Sequence, residues 1–279
     1  MTGQATVPGI SPAATAGGEP PGDEFSAPYR VRFDECAPDG LVRTSALLRY
    51  AQDLSGAHST ARGYDRAWYT GRGFAWLVRT AEIGVVGSIG HGDELTGTTR
   101  VVGFRRVWAR RLTEFRAADG PLAAWVRIDW VLTDERGAPT RIPAEFHPLF
   151  GGAPGGFPLG RVDPGAPPAD GHRFALVVRP QELDPMDHVN NAVYADWLDE
   201  AVGQAAAEDV GAGDGPPLVG ARSVPRLVRL EYAAAASPGA RLGGVVWPSV
   251  PGWSFRLATT EPAPTELLRA RIEPVATDA

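Results

Sequence analysis

The sequence predicts an α+β protein of two tandem units, each a long helix with an antiparallel sheet, and three observations carry that expectation. A Gly/Pro-rich stretch, GGAPGGFPLGRVDPGAPPADG at 151–171, reads as a linker and divides the chain into blocks of similar length. Both blocks open with a short strand and turn into a single amphipathic helix. Both then continue in runs of strand type.

Residues 1–26 are rich in Gly, Pro, Ala and Thr and read as a disordered tail. The first unit, 27–150, begins with YRVRF at 29–33. Its helix carries Leu47, Tyr50, Ala51, Leu54 and Ala57 at three- and four-residue steps, which places them on one face. FAWLVRTAEIGVV, ELTGTTRVVGFRRVWARR and AAWVRIDWVLT follow as strands. The second unit, 172–277, begins with RFALVV at 173–178, and Tyr194, Trp197, Leu198, Ala201 and Ala205 mark its helix face. RLVRLEYAAA, ARLGGVVWP and WSFRLATT are its strands. Aligning VRTSALLRY (42–50) on VNNAVYADW (189–197) sets Thr44 against Asn191 as N-cap residues, Ala37 against Asp184 and Leu41 against His188. The halves are therefore repeats in layout, and only the second carries a carboxylate and imidazole before its helix.

Composition narrows the chemistry. The formal net charge is −6 and the arginines are dispersed, which argues against a nucleic-acid surface. All 27 basic residues are arginine, so no lysine is present to form a Schiff base. Cys36 is the single cysteine, and no Cys/His cluster has zinc spacing, so neither a disulfide nor a metal or other cofactor is expected. With no signal-peptide pattern and no apolar run of spanning length, the expected location is the cytoplasm, away from the membrane.

The informative stretch is ELDPMDHVNNAVYADWLDE at 182–200. Through DPMDHVNNAVY above all, and more weakly through ECAPDGLVRTSALLRYAQD, GDELTGTTRVVGFRRVWARRLTEFR and RLEYAAAASPGARL, the chain resembles the hotdog-fold thioesterases. Its two-repeat layout is similar to the acyl-ACP thioesterase family, whose double hotdog would cover residues 27–277. The resemblance implies a helix wrapped by an antiparallel sheet and an Asp, here Asp184 with His188 as companion, acting on a thioester carbonyl. It implies an acyl substrate on phosphopantetheine, carried by acyl carrier protein or coenzyme A. Departures are Met186 where the plant pattern has Asn, Ala235 and Ala236 where that pattern has Glu and Cys, and Asp187 where bacterial relatives carry Gly.

The chemistry is consistent with those residue types. Free N–H groups at a helix N-terminus, here from His188 to Asn191, suit a developing oxyanion. Asp184, in a turn stiffened by Pro185, is placed to attack the carbonyl or to activate water. His188 would orient that water; Asn191 and Asn190 would cap the helix and fix substrate, which Met186, Asp187 and Tyr194 would also contact. Release by cyclisation or condensation, a dehydratase and a non-catalytic acyl-thioester binder remain alternatives. The fused repeat fits a monomer or a homodimer.

Elsewhere, Glu231, Cys36, His58, His91, His147 and His172 read as structural. Trp68, Trp76, Trp108, Trp125 and Trp130 are candidates for an acyl slot in the first unit. Alternation over FRRVWARR puts Arg105 and Arg111 on one face and Arg106 and Arg110 on the other, a possible phosphate or carrier contact.

Overall fold

The computed structural model describes residues 23–117, 120–151, 157–209 and 222–275. They form two compact units, and the chain passes from one to the other between Gly160 and Arg161.

In unit 1, β1 (Glu24–Arg30), β2 (Ala75–Val85), β3 (Glu94–Arg105), β4 (Trp108–Ala117) and β5 (Leu122–Thr133) lie in the order β1-β3-β4-β5-β2, every pair antiparallel. The long helix α1 (Thr44–Ala61) touches all of these strands. Its predicted face is the buried one: Leu47, Ala51 and Leu54 are fully enclosed and Tyr50 nearly so. Leu47 and Leu54 each contribute about 1.5–3 kcal/mol by leaving water, which fixes the helix on the sheet. Two short helices, α2 (Arg66–Thr70) and α3 (Phe146–Phe150), add Trp68, Tyr69, Phe146 and Phe150 to an aromatic cluster with Tyr64 and Phe104.

Unit 2 repeats the plan. β6 (His172–Val177), β7 (Arg226–Tyr232), β8 (Arg241–Ser249), β9 (Gly252–Thr259) and β10 (Glu266–Pro274) run β6-β8-β9-β10-β7, again antiparallel. The helix α4 (Asn191–Asp209) buries Tyr194, Trp197, Leu198, Ala201 and Ala205, with Ala192, Val193, Ala195 and Val202 enclosed as well. A helix buried over so much of its circumference belongs inside a sheet rather than at a surface.

The structure departs from the sequence reading in several places. β1 starts at Glu24, so Glu24, Phe25 and Ser26, read as tail, pair with Arg100, Thr99 and Thr98. Pro28 masks the strand pattern, yet an edge strand tolerates a residue without an N–H. Residues 1–22 of the tail lie outside the described residues, as do 152–156 of the linker and residues 276 and 277. ELTGTTRVVGFRRVWARR is two strands joined by a hairpin turn at Arg106 and Val107, with Arg106 at φ 56° and Arg105 opposite Trp108. Arg105 and Arg111 therefore share no common face. Arg105 donates to the Phe157 carbonyl, and Arg110 clasps Asp129 at 2.6 and 2.7 Å with Phe157 stacked on its guanidinium. Arg111 is buried against His58. β10 was not anticipated, because its arginines dilute the apolar alternation of Leu268, Ala270 and Ile272.

Candidate functional site

The segment entering α4 is a closed turn. A 3-10 turn at Pro180–Glu182 leads into it, and the buried Glu182 carboxylate accepts the Arg179 N–H at 2.7 Å and the Trp197 indole N–H at 3.3 Å. Leu183 then faces Val189 across an antiparallel bridge, flanked by Asn190 N–H to Glu182 O at 2.9 Å and Asp184 N–H to His188 O at 2.7 Å. The chain reverses over Pro185–Asp187, with Asp187 N–H donating to Asp184 O at 3.0 Å. Asp187 occupies the left-handed region at φ 62°.

Inside this turn Asp184 Oδ1 accepts the N–H of Met186 at 2.8 Å and, more weakly, that of His188 at 3.4 Å. The carboxylate is half-buried and held by its own loop, while Met186, Asp187 and His188 are exposed around it. Asn190, not Asn191, caps α4: its Oδ1 accepts the Ala192 N–H at 2.9 Å. Asn191 is the first helical residue, and Thr44 likewise is the first residue of α1, where Arg43 stands at the cap without a side-chain bond. Of the N–H groups from His188 to Asn191, those of His188 and Asn190 are engaged within the loop. Among the described residues no acceptor takes those of Val189 and Asn191.

Two tyrosines close the inner side. Tyr194, buried in the first turn of α4, accepts the Ala236 N–H on its hydroxyl at 3.0 Å. Burial raises its phenol to about 12, opposed by the Ala236 bond and reinforced by the nearby negative charge of Asp184. Tyr232, at the end of β7, donates to the Asn191 carbonyl at 2.9 Å and packs edge-on against Tyr194 with ring centres 5.5 Å apart. Its phenol is pushed far above the ordinary range by complete burial and then by Tyr194. The sequence reading missed Tyr232 and the Ala236 amide, which arrive from about forty residues further on in the chain. Ala236 lies in the loop after β7 rather than in a strand.

Glu231 is buried and accepts the Val162 N–H at 2.9 Å, pinning the start of unit 2 to β7. His58 is fully enclosed, and Cys36 is half-buried with its thiol toward the Arg32 carbonyl. Trp125 is core, whereas Trp68 and Trp76 pack partly buried against the aromatic cluster. Among the described residues no helix is long and apolar enough to cross a membrane, and no group of three His, Cys, Asp or Glu could hold a metal ion.

Comparison with solved structures gives the fold, and the family match gives the class. A Lactobacillus plantarum protein named as an oleoyl thioesterase superposes with a TM-score of 0.75 at 20% identity, over 91% of this chain and 98% of that one. An acyl-ACP thioesterase from Bacteroides thetaiotaomicron gives 0.71 at 13% identity over 90% and 97%. The 12:0-ACP thioesterase from Umbellularia californica gives 0.70 at 20% over 90% and 96%. These matches establish the fold, two tandem hotdog domains. No curated protein matches the chain in sequence. The acyl-ACP thioesterase N-terminal domain matches residues 22–150 and the C-terminal domain residues 166–211, together more than half of the chain. The chain belongs to the acyl-ACP thioesterase family, a thioester hydrolase acting on acyl-ACP or acyl-CoA.

Proposed function

We propose that hydrolysis takes place at the turn entering α4, with Asp184 as general base. The observation that carries this reading is the fixed carboxylate: Oδ1 is bound by the Met186 and His188 N–H groups, which leaves Oδ2 to hold a water. Pinned in its own turn, the carboxylate is better placed to reach a carbonyl through that water than to close to bonding distance itself. Asp184 takes a proton from the water, whose oxygen attacks the thioester carbon. The oxyanion so formed meets the N–H groups of Val189 and Asn191 at the positive end of α4. The C–S bond then breaks, the thiolate takes the proton from Asp184, and a free acid and thiol leave. His188, exposed beside the turn, orients the water from the solvent side, and Met186 and Asp187 meet the phosphopantetheine arm. Tyr194 bounds the acyl group beside Asp184. Asn191 serves through its backbone, and Asn190 through its cap. Tyr232 acts as a positioning residue by holding the Asn191 carbonyl.

Thiol release from acyl-ACP and acyl-CoA panels, wild type beside Asp184→Ala, with the product weighed, tests this. Free acid from the wild type and its loss in the variant support the assignment; undiminished release by Asp184→Ala overturns it. A product lighter by one water would indicate cyclisation. Single turnover in ¹⁸O-water separates the routes, since label entering Asp184 itself would show direct attack through an anhydride.

A further inference from the structure

The last turn of α1 carries a buried imidazole whose proton has one place to sit. The His58 side chain is 1% exposed, and Arg111 of β4 donates from Nη1 to its Nδ1 at 2.9 Å. A guanidinium has no acceptor, so Nδ1 is unprotonated and the ring proton is on Nε2, which donates to the Asp23 carboxylate at 2.8 Å. Asp23 stands immediately before β1 and is also clasped by Arg62, the residue that ends α1. Phe25 of β1 stacks on the imidazole with ring centres 5.9 Å apart, and Phe150 of α3 meets it edge-on at 5.3 Å. One neutral ring therefore ties together the start of β1, the end of α1 and β4.

These contacts tolerate only the neutral ring. A second proton, on Nδ1, would set N–H against N–H with no acceptor between them, and cation against cation out of water. Arg111 does not yield its own proton in this range, because burial lowers its guanidinium only to about 10. Burial disfavours the His58 cation first, and the Arg111 and Arg62 charges add to that against the pull of Asp23, which leaves the ring below its ordinary 6.5. Tyr69 of α2, its phenol raised by burial, lies near Arg111 as a neutral group. Asp23, which burial would raise, is held below its ordinary 3.8 by Arg62 and His58, so it keeps its charge in mild acid. A histidine lowered in the fold stabilises fully above 6.5, and that stability is lost progressively as pH falls below 6.5. Counting along the helices from Thr44 and Asn191, Ala205 of α4 matches His58, so unit 2 has no titrating group at this step.

We propose that His58 is an acid-sensitive latch on unit 1: neutral, it holds the start of β1 and the end of α1 against β4, and a proton on Nδ1 releases them together and reversibly. β1 is suited to be the part that lifts, since it is an edge strand paired only with β3 and its first residues are fastened to α1 through Asp23. The latch belongs to unit 1 alone and depends neither on the role given to Asp184 nor on the family activity.

The test is an imidazole NMR titration of the full chain from about pH 8 to about pH 4.5, with amide hydrogen-exchange protection measured alongside. The His58 ring, identified by its loss in His58→Gln, is expected to be the Nε2–H tautomer at neutral pH. Its protonation is expected to coincide with a fall of about tenfold or more in protection across β1 and the last turn of α1, with α4 unaffected and protection regained on return to neutral pH. His58→Gln, which cannot titrate, is expected to keep that protection through the same range. In Arg111→Gln the amide offers a donor to the neutral ring and an acceptor to the protonated one, so His58 is expected to titrate about one pH unit higher with protection retained. A ring that stays neutral throughout, protonation with β1 protection unchanged, or loss of protection without His58 titrating would overturn the proposal on the wild type alone, whether or not the variants fold. The same acid loss in folded His58→Gln or Arg111→Gln would overturn it as well.

Discussion

The turns that enter α1 and α4 are the same piece of backbone with different side chains on it. Ala37 N–H bonds Leu41 O at 2.9 Å as Asp184 N–H bonds His188 O at 2.7 Å, and Arg43 N–H bonds Glu35 O as Asn190 N–H bonds Glu182 O. Cys36 bridges Val42 as Leu183 bridges Val189. Glu35 takes the Arg32 N–H and the Tyr50 hydroxyl where Glu182 takes the Arg179 N–H and the Trp197 indole. The two glutamates are thus scaffold, common to both. Shared bonds continue past the helices, Val31 to Asp93 and Val178 to Ala240, and counting back from them sets Val85 where Tyr232 stands and Ile89 where Ala236 stands. Asp184, His188, Asn190, Tyr194 and Tyr232 replace Ala37, Leu41, Arg43, Leu47 and Val85. Polarity specific to unit 2 therefore collects at one turn, which is where a duplicated scaffold would differ if only one copy does chemistry.

The sharpest way to break this comparison is at Asp184. Asp184→Ala and Asp184→Asn should lower kcat about a hundredfold to ten-thousandfold, the usual worth of a general base, with melting temperature little changed by Asn. Grafting Ala37→Asp with Leu41→His onto the Asp184→Ala background should restore nothing, because Leu47 and Val85 do not supply the inner tyrosines. Steady-state rates on one acyl-ACP substrate decide both, and recovery in the graft would show that the turn alone suffices.

Tyr232→Phe comes next. It removes the bond to the Asn191 carbonyl and leaves the ring against Tyr194. A loss of about 1 kcal/mol in the positioning of that turn corresponds to roughly a fivefold fall in kcat. KM should stay constant, and denaturant unfolding should shift by a similar energy. A KM effect with kcat intact would make Tyr232 a substrate contact instead.

How much of this was legible in the sequence follows from the range of each signal. The helix faces were readable because Leu47 to Leu54 and Tyr194 to Ala205 repeat with a helical period that burial enforces. Asp184 and His188 were readable because a turn and a helix start lie within eight residues. The cap was displaced by one because Asn190 and Asn191 are equally good cap types and only geometry separates them. Tyr232 and Ala236 gave no local sign; β7 brings them in through long-range packing, and an alternating strand expects a tyrosine anyway. The hairpin at Arg106 was hidden for a related reason, since a non-glycine at φ 56° carries no turn signature.

Substituting the two cap residues makes a smaller and opposite pair. Asn190→Ala should destabilise by about 1 kcal/mol, while Arg43→Asn, which gives α1 the side-chain cap it lacks, should stabilise by a comparable or lesser amount. Chemical denaturation of the two variants checks the signs, and a gain from Asn190→Ala would remove Asn190 from the capping role.

The smallest effect lies at the apex of the turns, where Gly40 sits at φ 80° and Asp187 at φ 62°. The backbone requires a left-handed residue at both, and unit 1 meets the requirement with glycine. An aspartate there costs about 1 kcal/mol in Cβ crowding, partly offset because glycine loses more freedom on folding. Asp187→Gly should therefore stabilise by less than about 1 kcal/mol, and Gly40→Ala should destabilise by about 1 kcal/mol, with no neighbour within 4 Å of the added carbon to complicate it. If Asp187→Gly leaves turnover intact, the extra carboxylate is only a tolerated occupant of a glycine position. If turnover changes while stability follows the backbone expectation, Asp187 reaches the substrate, and the two apices differ in chemistry as well as in strain.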